Sequence, residues 1–553
     1  MINNIQQVFP LTEMQKGMLF HSVMEPSSGI YCEQFLFEIK GEVDGKRLEA
    51  AWAAVVGGND ILRISTRYSR VREPVQIVHG SVLTSLPQLD LSGFPSAVQD
   101  DKLERLLAAD REKNFDLARP ELIRAQLLRM EYNRYILLLT YHHMLLDAWS
   151  LFLVMKELIE RYETGTALES VKPYYSDYVA SLRSHRLEDS RAFWRKYLDG
   201  YRTVTSVADR PSGQGIERNS LRLHKELVYR LPSELSEAVV QAARDYGHTL
   251  NTVLQAAWGL VVSSWSGEDD VVFGITITHR PYHIANIDKM VGIFINSLPK
   301  RLAINGDDTI RDYLGRVYRD QAEIKAHEHV PLPEIQKGSQ IPGGVPIFET
   351  LLIFENFLKD RSWQQARDFT VDYYRYVGWT NYPLAIEAMP PEGHRPIFFQ
   401  VKYDTNYFSA DRVNSLLDLL RNYLETFVQG PDRQIDTFRR KAASGRTRVE
   451  DRPTSVLCVH GGPEDALCGE VRAIWSSLLN SKSLDDAQSF FEAGGHSLLL
   501  FELQTRLYDK FGIELSIVDL FDNPTVELQA QFIFAAQTSR RHPIHPQPLP
   551  ASL

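Results

Sequence analysis

Two short strings in this chain gather side chains that can do chemistry. The first is Tyr141-His142-His143-Met144-Leu145-Leu146-Asp147-Ala148-Trp149-Ser150. An imidazole titrates near neutrality, so a histidine here could take or hold a proton during acyl or proton transfer. The two histidines are adjacent at the end of an extended run, so they point in different directions and are not expected to share one role. Taken alone, such a pair is usually structural. A metal would need third and fourth ligands at suitable local spacing, and the string supplies none, so no metal is expected. Asp147 stands directly before an amphipathic run and fits an N-cap, a role compatible with a functional one.

The second string is Phe490-Phe491-Glu492-Ala493-Gly494-Gly495-His496-Ser497-Leu498. It reads as a loop ending in two glycines, then a serine that opens a helix with Leu499, Leu500, Leu503, Leu507 and Phe511 on its inner side. By position alone, Ser497 is a cap whose oxygen satisfies an orphan backbone N–H. The helix N-terminus would also favour a phosphate placed there.

The elements around these strings follow from periodicity. Arg134–Tyr141 predicts a strand, and Ala148–Tyr162 predicts a helix through Leu151, Val154, Met155, Leu158 and Ile159. Further helices are expected over Pro232–Tyr246 and Asn251–Trp265, and a strand over Val271–Thr278. Mixed strands and helices up to residue 440 predict an α/β or α+β architecture. Arg439–Asp465 is polar and reads as a linker. Ala466–Phe532 looks helical throughout, with Val471, Ile474, Trp475, Leu478 and Leu479 on one face. Gln537–Leu553 carries four prolines without periodicity and reads as a disordered tail.

Composition narrows the function class. The chain has 553 residues, 44% hydrophobic and 24% charged, as in ordinary soluble domains. A formal net charge of -10 argues against a nucleic-acid partner. Cys32, Cys458 and Cys468 form no CxxC pair, so reduced thiols are expected. No apolar run reaches a membrane span and no leader peptide is visible, so the reading is a cytoplasmic protein with no membrane partner.

The Ser497 string closely resembles the FFxxGGHSL motif of peptidyl and acyl carrier proteins. That resemblance extends over residues 466–535, through Trp475, Phe511-Gly512-Ile513 and Leu520-Phe521-Asp522-Asn523-Pro524-Thr525. It implies a small four-helix carrier domain with 4'-phosphopantetheine on Ser497. In the same family His496 would be a surface residue rather than a base.

The first string resembles the HHxxxDG motif of nonribosomal peptide synthetase condensation domains, relatives of chloramphenicol acetyltransferase. Six further strings match in order: Pro10–His21, Asn59–Arg63, Tyr175–Tyr178, Val291–Arg301, His327–Leu332 and Phe354–Asn356. Ala148 replaces the usual glycine, which would strain the backbone if φ were positive there. Asn59 replaces a histidine of a mainly structural motif whose Arg63 is retained. The version with Trp149 looks most like the subclass joining an L donor to an L acceptor.

The resemblance implies two acetyltransferase-like lobes in a V, residues 1–175 and 176–440, then a linker over 441–465, the carrier over 466–535 and a tail over 536–553. His143 would lie mid-tunnel and act on the attacking amine, either as a base or by orienting it. His142 and Asp147 complete the catalytic string; His142 is expected to be the more structural, and Asp147 to pair with Arg280. Arg280 and Arg63 would support the site. An upstream carrier would deliver the donor, and a phosphopantetheinyl transferase would modify Ser497. An adenylation protein would charge Ser497 in trans, since no adenylation segment separates the two parts. Use of a soluble amine or alcohol acceptor, and a noncatalytic recruiting role, are the alternatives.

Overall fold

The computed structural model describes residues 4–165, 173–184, 186–209, 223–342, 345–355, 364–439, 463–479, 481, 484–495 and 497–541. These residues form two compact units. The large one holds both main sheets, and the small one holds the last four helices with the segment Arg67–Val75. Most of the expected linker, the tail from residue 542, Asn356, Cys458 and His496 lie outside the described residues.

In the large unit, one mixed sheet runs Phe369–Val377, Cys32–Gly41, Arg134–His142, Ile123–Glu131, Gln88–Asp90. The strand Arg134–His142 sits at its centre because Ile136 to Leu139 are apolar on both faces and completely buried. It pairs antiparallel with Cys32–Gly41, placing Cys32 opposite His142 and Glu33 opposite Tyr141. The strand Phe369–Val377 joins this sheet from far along the chain, within the span assigned to the second lobe, and pairs with Cys32–Gly41. A bulge between Tyr373 and Arg375 adds one residue, so Tyr373 and Tyr376 share a face although they are three apart.

The second sheet runs Ile295–Ala303, Asp270–Thr278, Thr350–Phe354, Leu384–Met389, Phe398–Asp404, His224–Arg230. Thr350–Phe354 is parallel to both neighbours. The antiparallel strand Ile295–Ala303 carries the chain back along the sheet, and the helices Ile310–Ala326 and Leu332–Gly338 then lead into Thr350–Phe354. The helix Leu250–Ser266 is apolar nearly all round and buried against this sheet, with Trp258 fully enclosed. The expected helices and strands are present, shifted by a residue or two at their ends: Ala148–Thr164, Ser233–Asp245, Leu250–Ser266 and Asp270–Thr278.

The small unit packs the helices Pro463–Leu479, Ser497–Phe511, Ile517–Asp522 and Val526–Arg541 around Val471, Trp475, Phe490, Leu503 and Ile533. Trp475 donates its indole N–H to Gln529 Oε1 at 3.0 Å, which satisfies the polar edge of a buried ring. The first helix starts at Pro463, inside the expected linker, because proline fits a first helical turn whose N–H would be unpaired anyway. The last helix continues to Arg541, beyond the expected start of the tail, because the first helix breaker after Phe532 is Pro543.

Candidate active site

The turn after Arg134–His142 separates the two histidines. His142 is 2% exposed; its backbone N–H donates to Leu122 O at 2.9 Å. Its Nδ1 accepts the Met144 N–H at 3.2 Å, so the ring proton is on Nε2, 3.0 Å from Ser22 Oγ. Ser22 Oγ donates its own hydrogen bond to Met18 O at 2.8 Å. Burial, and secondarily His143, push the His142 pKa down to about 3, so this ring is neutral and structural.

His143 takes the other tautomer. Its Nδ1 lies 2.8 Å from Leu146 O, and a carbonyl only accepts, so Nδ1 carries a proton and the neutral ring has its lone pair on Nε2. The His143 backbone N–H donates to Tyr31 O at 2.8 Å. Tyr31 has φ of +59°, a left-handed conformation that a bulky residue rarely adopts. The turn is pinned from beneath by Met144, Leu145 and Leu146, all fully buried, and by Gln15 Nε2, which donates to Met144 O at 3.1 Å. Gln15 is itself fixed by a capping box with Thr12 at the start of the helix Glu13–Met24.

His143 faces a cavity of about 400 Å³ walled by one face of each main sheet. Strand alternation puts Glu33 and Phe35 of one strand and Tyr141 of the next in the wall, and Tyr31 and His143 join them from just beyond the strand ends. From the second sheet come Thr276 and Thr278, Leu351, Ile353 and Glu355, and Glu387 and Met389. His142 is not part of the wall.

Asp147 works as a clamp. It caps the helix Ala148–Thr164, with Oδ1 accepting the Ser150 N–H at 2.8 Å. Its Oδ2 accepts the Phe294 N–H at 3.0 Å, and its own N–H donates to Gly292 O at 3.1 Å. Arg280 Nη2 is 3.6 Å from Asp147 Oδ1, an ion pair but not a hydrogen bond. Arg280 spends its donors on Ser150 Oγ at 2.9 Å, Ile287 O at 2.6 Å and Met290 O at 2.9 Å, and stacks on Phe294. Ser150 is the residue sequence reading passed over. Its buried hydroxyl accepts from both Arg280 and the Gly292 N–H, joining the helix start to Val291–Phe294. A serine one turn into a helix carries no local signal of that role. Gly292 is also required by space, since a Cβ there would lie 2.3 Å from the Tyr175 ring. Tyr175 is held in turn by its hydroxyl on Ile293 O at 2.7 Å.

Ala148 is not among the residues with positive φ, so the loss of glycine causes no backbone strain. Arg63 does not reach the cavity. It donates to Gln6 Oε1 and the His79 carbonyl, so it ties strand ends together instead of supporting the site directly. Asn59 donates to Val55 O and Glu157 Oε2, filling a structural place at the end of the helix Gly45–Gly58. Trp149, 44% exposed, donates to Asp288 O at 3.1 Å and forms part of the wall. Among the described residues no cluster of histidine, cysteine and carboxylates is placed to hold a metal ion, and no helix is long and apolar enough to cross a membrane.

In the small unit, Ser497 begins the fifteen-residue helix Ser497–Phe511. The loop before it needs both glycines: Gly494 has φ of +96°, and a Cβ on Gly495 would lie 2.4 Å from the Phe490 ring. Phe490 is buried against Trp475, so the loop is set on the domain core. A helix N-terminus behind a fixed loop fits a phosphodiester-linked group on Ser497.

Two family profiles match the chain: "Condensation domain" over residues 5–441 and "Phosphopantetheine attachment site" over residues 469–533. One of the linear gramicidin synthase proteins of Brevibacillus parabrevis is 31% identical over 475 residues, 83% of this chain. Bacitracin synthase 1 of Bacillus licheniformis is 32% identical over 434 residues, 77% of this chain. The chain spans only 9% and 8% of the lengths of those relatives. Among solved structures, a holo four-domain nonribosomal peptide synthetase bound to AMP and glycine aligns over 87% of this chain and 37% of its own, at TM-score 0.67 and 18% identity. The first condensation domain of the calcium-dependent antibiotic synthetase aligns over 78% of this chain and 99% of its own, at TM-score 0.65 and 20% identity.

Proposed function

The chain belongs to the condensation-domain family and carries a phosphopantetheine attachment domain behind it, and from that premise we propose that it forms amide bonds between two carrier-bound substrates in nonribosomal peptide synthesis. In this reading a donor acyl or peptidyl thioester arrives on a separate carrier. The amine of an aminoacyl thioester held at Ser497 attacks its carbonyl. A C–N bond forms, the donor C–S bond breaks, and the amine proton leaves with the thiol. When bound to Ser497, 4'-phosphopantetheine supplies the terminal thiol that carries the aminoacyl group.

The observation that carries the reading is the state of His143 in the cavity wall. Its Nδ1–H is held by Leu146 O, so in the neutral ring Nε2 is the nitrogen with the lone pair. That nitrogen can accept the proton lost by the attacking amine, or hold the amine in line by accepting its hydrogen bond. Leu146 O stabilises the imidazolium that forms in the first case. Asp147 and Arg280 belong to the same wall, and Ser150 behind it ties the helix start to Val291–Phe294. The intact His142, His143 and Asp147 disfavour a purely recruiting role.

The proposed partners are an upstream donor carrier, an adenylation protein acting in trans and a phosphopantetheinyl transferase. The test is reconstitution. Incubation with a phosphopantetheinyl transferase and coenzyme A should add one arm's mass, which Ser497→Ala should prevent. A loaded donor carrier and an aminoacylated arm should then yield product that His143→Ala nearly abolishes. Product formed only from soluble amines would replace this reading with a free acyltransferase.

A further inference from the structure

The cavity that holds His143 has a second chemical character. Glu33, Glu355 and Glu387 all belong to its wall, together with Tyr373, Tyr376 and Phe35. Glu33 and Glu387 are almost completely buried, at 1% and 4% exposure. Buried carboxylates are normally paired, and each unpaired oxygen is costly. Lys402 donates to Glu387 Oε1 at 2.6 Å and lies 3.6 Å from the Tyr376 ring centroid. The Tyr376 hydroxyl donates to Glu33 Oε2. Those contacts leave Glu33 Oε1 and Glu387 Oε2 buried and without a hydrogen-bond partner among the described residues. Glu355, half-buried beyond the strand Thr350–Phe354, makes no side-chain hydrogen bond among the described residues.

Lys402 is the cation bonded to this group through Glu387; Arg111, which couples electrostatically to Glu33, gives its hydrogen bond to Gln34 Oε1 instead. Arg395 and Glu392, also in the wall, add one charge of each sign and leave the excess unchanged. Arg280 is already engaged with Ser150 and two carbonyls. Burial and the neighbouring Glu387 raise the Glu355 pKa to about 8, and burial raises that of Glu387. Glu355 is thus largely protonated near neutrality, and a cation brought beside it would draw it into the carboxylate form.

We propose that this acidic wall is a specificity site for an alkylammonium or guanidinium side chain on one of the two substrates. This rests on the reading of carrier-bound aminoacyl substrates given above. The reacting amine itself is a poor occupant, because carboxylates around an ammonium raise its pKa and oppose the deprotonation that attack requires. The aromatic rings beside the acids suit the alkyl stem and the cation together.

The experiment loads lysyl, Nε-acetyl-lysyl and norleucyl groups in turn, first on the Ser497 arm and then on the donor carrier, and measures single-turnover rates. One of the two positions should favour lysyl over both neutral analogues by about tenfold or more. The isosteric double variant Glu33→Gln/Glu355→Gln should erase that ratio. Equal rates for all three groups in both positions would overturn the site, whether or not the variant folds. If no aminoacyl pair condenses, the condensation reading fails and calorimetry on the intact protein decides the site. Binding of pentylammonium over pentanol, lost in the double variant, would uphold it; equal or undetectable binding would overturn it.

Discussion

His143 Nδ1 sits 2.8 Å from the carbonyl oxygen of Leu146, three residues further along the same turn. The neighbouring His142 has the opposite arrangement, with Nδ1 accepting the Met144 N–H. One imidazole thus presents an Nε2 lone pair, and the other presents an Nε2–H to Ser22. Two identical side chains, one peptide bond apart, are fixed in different tautomers by the groups around them.

His143→Ala should lower single-turnover condensation by about 10²–10⁴-fold, the range for a positioned acid or base. Phosphopantetheinylation of Ser497, in the separate small unit, should be unaffected, and an unchanged urea midpoint of the large unit checks that it remains folded. An unchanged condensation rate would remove His143 from the chemistry.

His142 predicts a pH dependence of stability. Its folded pKa of about 3 lies below the ordinary value of 6.5, so the unfolded chain binds the extra proton. Its contribution is complete above pH 6.5 and is lost as the pH falls toward 3, by at most about 1.4 kcal/mol per pH unit. Urea unfolding at pH 5 and pH 7.5 should therefore show a larger acid loss for the native protein than for His142→Asn. Equal losses would show that burial does not hold this ring neutral.

Ser150→Ala removes the acceptor shared by Arg280 and the Gly292 N–H. Leaving these buried donors unpaired should cost about 1–3 kcal/mol. Condensation should fall as well, although Ser150 is not in the cavity wall. Ser150→Thr, which retains the hydroxyl, should recover part of both, and denaturant midpoints with turnover measure it. No loss in the alanine variant would mean that the Asp147–Arg280 pair holds the clamp unaided.

Asp147→Ala should be more severe. It unpairs the Phe294 and Ser150 amides and leaves Arg280 without its counter-ion, about 3–5 kcal/mol for a broken buried pair. Hydrogen exchange at Phe294 should rise before the rest of the second sheet opens. Protection equal to that of the native protein would show that Asp147 is not the clamp.

Gly495→Ala should block carrier folding, because the added methyl meets the buried Phe490 ring. Gly494→Ala has open space and should cost only about 1–2 kcal/mol for its left-handed backbone. Solvent exchange of the Trp475 indole N–H, held by Gln529 Oε1, distinguishes the two. Reversal of that order would mean that the loop is not set by packing.

The residue string itself determined the family, the mixed architecture, the carrier helix behind Ser497 and the placement of His143 after a buried strand. These depend on local order: a run of apolar residues, an N-cap, and glycines at fixed offsets. It also determined that His142 and His143 diverge, since neighbouring side chains on a strand point to opposite faces. Tertiary structure alone decided which nitrogen of His143 is free, because that depends on where Leu146 O comes to lie. It alone recruited Phe369–Val377 to the first sheet, placed Ser150 between Arg280 and Gly292, tied Arg63 to Gln6 and the His79 carbonyl, and brought Glu33, Glu355 and Glu387 to one wall. Those groups stand tens to hundreds of positions apart, and only pairing of distant strands carries charges so far separated in sequence into shared, poorly solvated space.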